Sequence, residues 1–153
     1  MAFRLSGFSE VPTPDFDPIL APVMMLVVWT MVMWSWMYAT RIPAIFKMKM
    51  KMDPNAPRGE QMSLLPANVR WKADNYNHLF EQPTIFYATA LVIALLGTGD
   101  GLNLILAWTY VGMRVLHSLV QSLVNKIEVR FAIFFLSSLV LVGLIFNTAI
   151  VVL

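Results

Sequence analysis

The stretch DNYNHLFEQPTIFY, residues 74–87, decides how many times this chain can cross a membrane. After Pro83 the run TIFYATALVIALL supplies only 13 apolar-leaning residues. A helix needs about 20 to cross a ~30 Å hydrocarbon core. The segment is long enough only if its helix starts upstream, within the polar residues Asp74, Asn75, Asn77, His78, Glu81 and Gln82. A helix through 74–82 is therefore expected, bent at Pro83, whose ring removes an amide donor and clashes with the Leu79 carbonyl. In a membrane such a bend is tolerated where nearby side chains satisfy the freed backbone group, and Asn75, Asn77, His78 and Gln82 are at hand.

The rest of the chain sets the context. Its 153 residues are 58% hydrophobic and 13% charged, with a mean hydropathy of +0.67. A soluble domain carries about 25% charged residues. Ile19 to Tyr38 runs 20 residues without a charge, and Phe131 to Leu153 has none either. Leu102 to Val124 is a further long run, interrupted by polar residues and Arg114. The reading is an all-α integral membrane protein, one domain over 1–153 and a four-transmembrane-helix bundle, with spans at about 18–40, 75–97, 102–125 and 129–152. The first run is no cleaved leader, because it starts late, is long enough to span and follows no basic segment. With no cysteine there are no disulfides, thiolate metal sites or cysteine nucleophile. The formal charge of +2 gives no reason to expect nucleic acid as a partner.

Basic residues orient the bundle. Arg41, Lys47, Lys49, Lys51, Arg58, Arg70 and Lys72 fall in the first loop, 41–74, and Lys126 and Arg130 in the third connection. The N-terminal tail has only Arg4, and GTGDGLN has no Lys or Arg. Both basic loops lie on one side of a four-span topology, which assigns them to the cytoplasm and both termini to the far side. The alternating KMKMKM of residues 47–52 reads as lysines at headgroups with methionines dipping into the interface, ahead of a thioether site for Cu(I).

The third span carries a polar face: Tyr110, Arg114, His117, Ser118, Gln121, Ser122 and Asn125 recur at helical spacing. Lipid cannot satisfy such a stripe, so it must face protein or a wet cavity. Arg114, near mid-span, calls for an acid. Glu81 is the expected partner, reached directly or through His78 or His117. Asp74, His78 and Glu81 then form one polar face of the second span. His78, His117 and Glu81 lack a tight ligand spacing, and no metal site is expected.

YVGMRVLHSLVQSLVNKIEVRF, residues 110–131, resembles the third-helix region of the membrane-associated proteins in eicosanoid and glutathione metabolism. It shares an Arg-x-x-His pair, Arg114 and His117, and an arginine sixteen residues after the first, Arg130. The resemblance covers most of the chain in layout. It implies a trimer in the bilayer, and glutathione as cofactor. Arg130 would then activate the glutathione thiol, with Arg114 as the second catalytic residue, placing the thiolate. Arg41, Asn77, His78, Glu81, His117 and Gln121 would bind the tripeptide, Arg41 at a carboxylate and Glu81 at the ammonium. The family's second-helix pattern, Arg-x-x-x-Asn-x-x-Glu followed by a proline, is not reproduced. Anchored on Glu81 it meets Asp74 and His78, and anchored on Asn77 it meets Phe80. An aspartate in place of that arginine opposes a carboxylate.

Two functions follow. The first is a glutathione-dependent transferase or peroxidase acting on lipophilic electrophiles that arrive from the bilayer. The second is a non-catalytic membrane subunit or lipid-binding protein of the same fold, with a degenerate glutathione site, stabilising a larger membrane complex. Either is a multi-pass integral protein of a bacterial inner membrane or an endomembrane.

Overall fold

A computed structural model describes residues 16–153. The tail that holds Arg4 lies outside the described residues. Six helices follow one another: α1 Leu20–Lys47, α2 Glu60–Ser63, α3 Ala67–His78, α4 Gln82–Leu96, α5 Gly101–Leu123 and α6 Ile127–Val152. Three stretches are long and apolar enough to cross a membrane: Leu20–Lys47, Ala67–Leu96 and Ile127–Val152. The 23 residues of α5 extend about 34 Å at 1.5 Å per residue, also a membrane thickness. Its polar stripe is what lowers its hydropathy below that of the other three.

The sequence expectation for residues 74–82 needs correction. Residues 74–78 are helical as expected, but the helix breaks at 79–81. α3 starts at Ala67, well before Asp74, and ends at His78, and α4 starts afresh at Gln82. Residues 79–81 turn instead, with Phe80 N–H donating to the Asn77 carbonyl at 3.0 Å and Glu81 N–H to that of His78 at 3.3 Å. Pro83 is the cause. Placed inside a continuous helix it would lack a donor and collide with the previous turn, whereas in the first turn of α4 no intrahelical donor is needed. α1 likewise runs past the expected boundary at 40 to Lys47, with Pro43 inside its last turns.

The two ends of the bundle are identified by short contacts. Asp17, just before α1, accepts bonds from the Ile19 and Gly99 amides at 3.0 and 3.1 Å, which ties the start of α1 to the α4–α5 turn. Asn147 near the end of α6 donates to Asn103 near the start of α5 at 3.4 Å. Arg41, Lys47, α2, α3 and the α5–α6 turn with Lys126 and Arg130 therefore share the opposite end.

Between the ends, α5 packs against α1, α3 and α6. The core joins Leu26 and Met33 of α1, Phe86 and Ile93 of α4, Tyr110 of α5 and Leu144 of α6, all under 2% exposed. Phe86 and Tyr110 stack with ring centroids 4.8 Å apart. The outer faces of α1, α4 and α6 expose Met24, Met31, Leu91, Leu95, Val142 and Phe146, the inverse of a water-soluble surface. Hydroxyls on these helices bond back to carbonyls one turn earlier, as in Thr30 to Leu26, Thr89 to Ile85 and Thr148 to Leu144. That is how a hydroxyl is satisfied where no water reaches it.

Candidate functional site

Arg114 sits near the middle of α5 and is 1% exposed. The expected Glu81–Arg114 pair does not form. The guanidinium Nη2 donates to Gln82 Oε1, and Gln82 Nε2 donates to Ser138 Oγ of α6 at 2.9 Å. The guanidinium carbon also stands 5.0 Å from the Tyr110 ring and 5.1 Å from the Phe134 ring. A neutral amide and two aromatic faces thus hold the buried cation. The turn at 79–81 explains the exchange of partners. It rotates Glu81 out of the face it would occupy in a continuous helix, leaving its side chain 63% exposed, and brings Gln82 in. Gln82 and Ser138 are polar partners around Arg114 that the helical-face argument missed. Their only sequence signals were a polar prefix with too many candidates and a Ser137–Ser138 pair inside an apolar helix.

Glu81 is engaged elsewhere. Its Oε2 lies 2.6 Å from His78 Nδ1. The His78 ring is 5.1 Å from the His117 ring and 5.3 Å from Phe134, centroid to centroid. These residues border a cavity of about 200 Å³ lined by His78, His117, Ile127, Arg130, Phe131 and Phe134. Arg130 is fixed by Nη1 donating to Asn125 Oδ1 at 2.8 Å. Asn125 adopts a left-handed backbone, φ 52°, in the turn after α5, a conformation asparagine accepts better than most residues. The cavity joins one guanidinium and two imidazoles to an apolar wall of Ile127, Phe131 and Phe134. Such a site can hold an anionic or nucleophilic group against a greasy partner.

A second cavity, of about 340 Å³, lies between the end of α1, α2 and α3. Arg41, Ser63, Arg70, Asp74 and Asn77 supply its polar lining. Arg41 Nε is buried without a partner among the described residues. Asp74 is within ion-pair distance of neither arginine, since His78–Glu81 is the single ion pair among the described residues. Asp74 and His78, expected on one face with Glu81, therefore line different cavities. The expected catalytic and binding residues divide accordingly: Arg41 and Asn77 at this cavity, His78, His117 and Arg130 at the first, Glu81 bonded to His78 at its edge, and Arg114 buried behind the first against Phe134. Gln121 is 5% exposed and lines neither. Its Oε1, both amide atoms of Asn75, and the hydroxyls of Ser118 and Ser122 are buried with no partner among the described residues.

The sequence model of the MAPEG family matches residues 19–150, nearly all of the described chain. No curated protein and no solved structure matches it.

Proposed function

We propose that this chain, which belongs to the MAPEG family, is a glutathione-dependent transferase or peroxidase acting on lipophilic electrophiles. Its membership makes it a membrane protein, and the finer reading rests on the cavity that sets Arg130 and two imidazoles against Ile127, Phe131 and Phe134. A thiol needs a cation beside it to ionise at neutral pH, since an unperturbed thiol titrates near ~8.5. A lipophilic electrophile needs an apolar wall. The cavity has both, on helices that lie in the bilayer.

The second cavity suits the rest of glutathione, which carries two carboxylates and one ammonium. Arg41 and Arg70 present guanidinium forks for the carboxylates. Asp74, held apart from both arginines, is the acceptor for the ammonium, a role Glu81 gives up by bonding to His78. The two cavities have no lining residue in common, and a tripeptide held at the junction of two chains would draw on both sets. A trimer with four spans per chain, both basic loops in the cytoplasm and both termini on the far side, accommodates that arrangement.

Calorimetric titration of glutathione into the purified protein in detergent tests this reading. Saturable binding is expected, weakened about 10- to 100-fold by Arg41→Ala if one charge-assisted pair is lost. No heat at millimolar glutathione would reject it.

A second reading, a non-catalytic subunit or lipid-binding protein, is favoured by one observation. The buried arginine of α5 has its Nη2 bonded to Gln82 and its guanidinium set against Tyr110 and Phe134, contacts internal to the fold, and its buried Nε is left without a partner among the described residues. Under that reading glutathione does not bind and loss of Arg114 acts on assembly alone.

A further inference from the structure

We infer that His78 and Glu81 form a carboxylate–imidazole dyad that takes the proton from the thiol, with His78 as the catalytic base and Glu81 as its positioning residue. The inference rests on the glutathione reading above and adds a proton acceptor to it. Arg130 alone would stabilise a thiolate but could not accept its proton.

The geometry supplies the dyad. An ionised carboxylate only accepts hydrogen bonds, so at 2.6 Å the proton between Glu81 Oε2 and His78 Nδ1 belongs to the histidine. That selects one tautomer and leaves Nε2 with its lone pair. The same ring lines the cavity beside His117, Phe134 and Arg130. A base oriented by a third group and placed beside the nucleophile is the general arrangement for activating a weak one. The local order of the chain produces it: the 79–81 turn carries Glu81 back over the last turn of α3, three residues after His78. Every charged or titratable group near His78 has a place in the scheme. Glu81 orients it, the His117 ring lies tilted beside it, Arg130 faces the thiolate, and Arg114 is held by Gln82. Because Glu81 is 63% exposed, its end of the dyad is open to solvent.

The step balances without a further reactant. The S–H bond breaks, the proton passes to His78 Nε2 and the electron pair stays on sulfur. Sulfur then forms a bond to carbon of an activated aryl halide, and the halide leaves with its bonding pair. The proton leaves His78 for solvent. Thiol and aryl halide give thioether, halide and a proton, with nothing oxidised or reduced.

The chain has only two histidines, which makes imidazole nitrogen NMR of the whole protein in detergent readable, with His117→Asn as the assignment control. In the free protein at neutral pH, His78 is expected as the Nδ1–H tautomer, and Glu81→Gln should abolish that preference. On saturation with glutathione, both nitrogens of His78 should carry protons as thiolate absorbance appears. With glutathione and an activated aryl halide, His78→Asn should lower kcat/KM about 100-fold, the low end for a general base, and more than it weakens the calorimetric Kd. An Nε2–H tautomer in the free protein overturns the dyad. So does thiolate that forms while His78 stays neutral, and this leaves the glutathione reading intact. Failure of the wild type to bind glutathione overturns both.

Discussion

The Arg114–Gln82–Ser138 contact gives the sharpest energetic test, because it replaces a partner that helical periodicity assigns to Glu81. In Gln82→Leu the guanidinium loses its hydrogen-bond acceptor while staying buried. A hydrogen bond to a charged group contributes about 1.5–3 kcal/mol, and stranding one member of a buried charged pair costs about 3–5 kcal/mol. Arg114 keeps the Tyr110 and Phe134 faces, which offset part of the loss. A destabilisation of about 2–3 kcal/mol is expected, in the upper part of the range for a charged hydrogen bond and below that for a fully stranded ion. Glu81→Gln changes a side chain 63% exposed, and its cost should stay below about 1 kcal/mol. The double change Gln82→Leu with Arg114→Met removes both polar partners and should recover most of the loss, since an apolar pair of similar volume needs no solvation. Reversible unfolding in mixed detergent micelles, titrated with a denaturing detergent, measures all four proteins on one scale. The reasoning is refuted if Glu81→Gln costs more than Gln82→Leu, because the acid and not the amide would then hold the arginine.

Three further outcomes follow from the fold. A Cβ added at Gly99 would overlap the Asp17 carboxylate, so Gly99→Ala should break the bonds to the Ile19 and Gly99 amides and cost about 1–3 kcal/mol; the same change in an Asp17→Ala background should cost clearly less. Equal costs in both backgrounds would show that the clasp does not hold the α4–α5 turn. Ser122 is fully buried with a hydroxyl that has no partner among the described residues, so Ser122→Ala should raise stability by up to about 1 kcal/mol in the same assay, and a loss of stability instead would mean the hydroxyl has a partner. The chain has no native cysteine to confuse labelling, and single cysteines at Lys49 and Lys126 should react from one face of the membrane and one at Asp100 from the other. Lys49 and Lys126 reacting from opposite faces would exclude the four-span arrangement.

Much of this architecture was legible before any coordinates. Long uncharged runs demanded membrane helices, because lipid leaves a backbone no other way to satisfy its polar groups. The stripe on α5 was largely readable: Tyr110, Arg114, His117, Ser118, Gln121 and Ser122, picked out by spacing, are all buried, since a helix fixes the angle between residues within it, whereas Asn125 falls past the helix end and is half-buried. The Arg-x-x-His pair and the later arginine pointed to the family for the same reason. What spacing could not supply was the side-chain direction across a break. Each residue adds about 100° of rotation along a helix, so where α3 stops and α4 restarts decides which of two neighbours, Glu81 or Gln82, meets Arg114. Pro83 made a break or bend certain but left its position open. The position depends on Gln82 reaching both Arg114 and Ser138, residues 32 and 56 places further along the chain. Only the packed bundle brings those groups together, and so only the tertiary structure could turn Glu81 from the partner of a buried arginine into the partner of a histidine at the edge of a cavity.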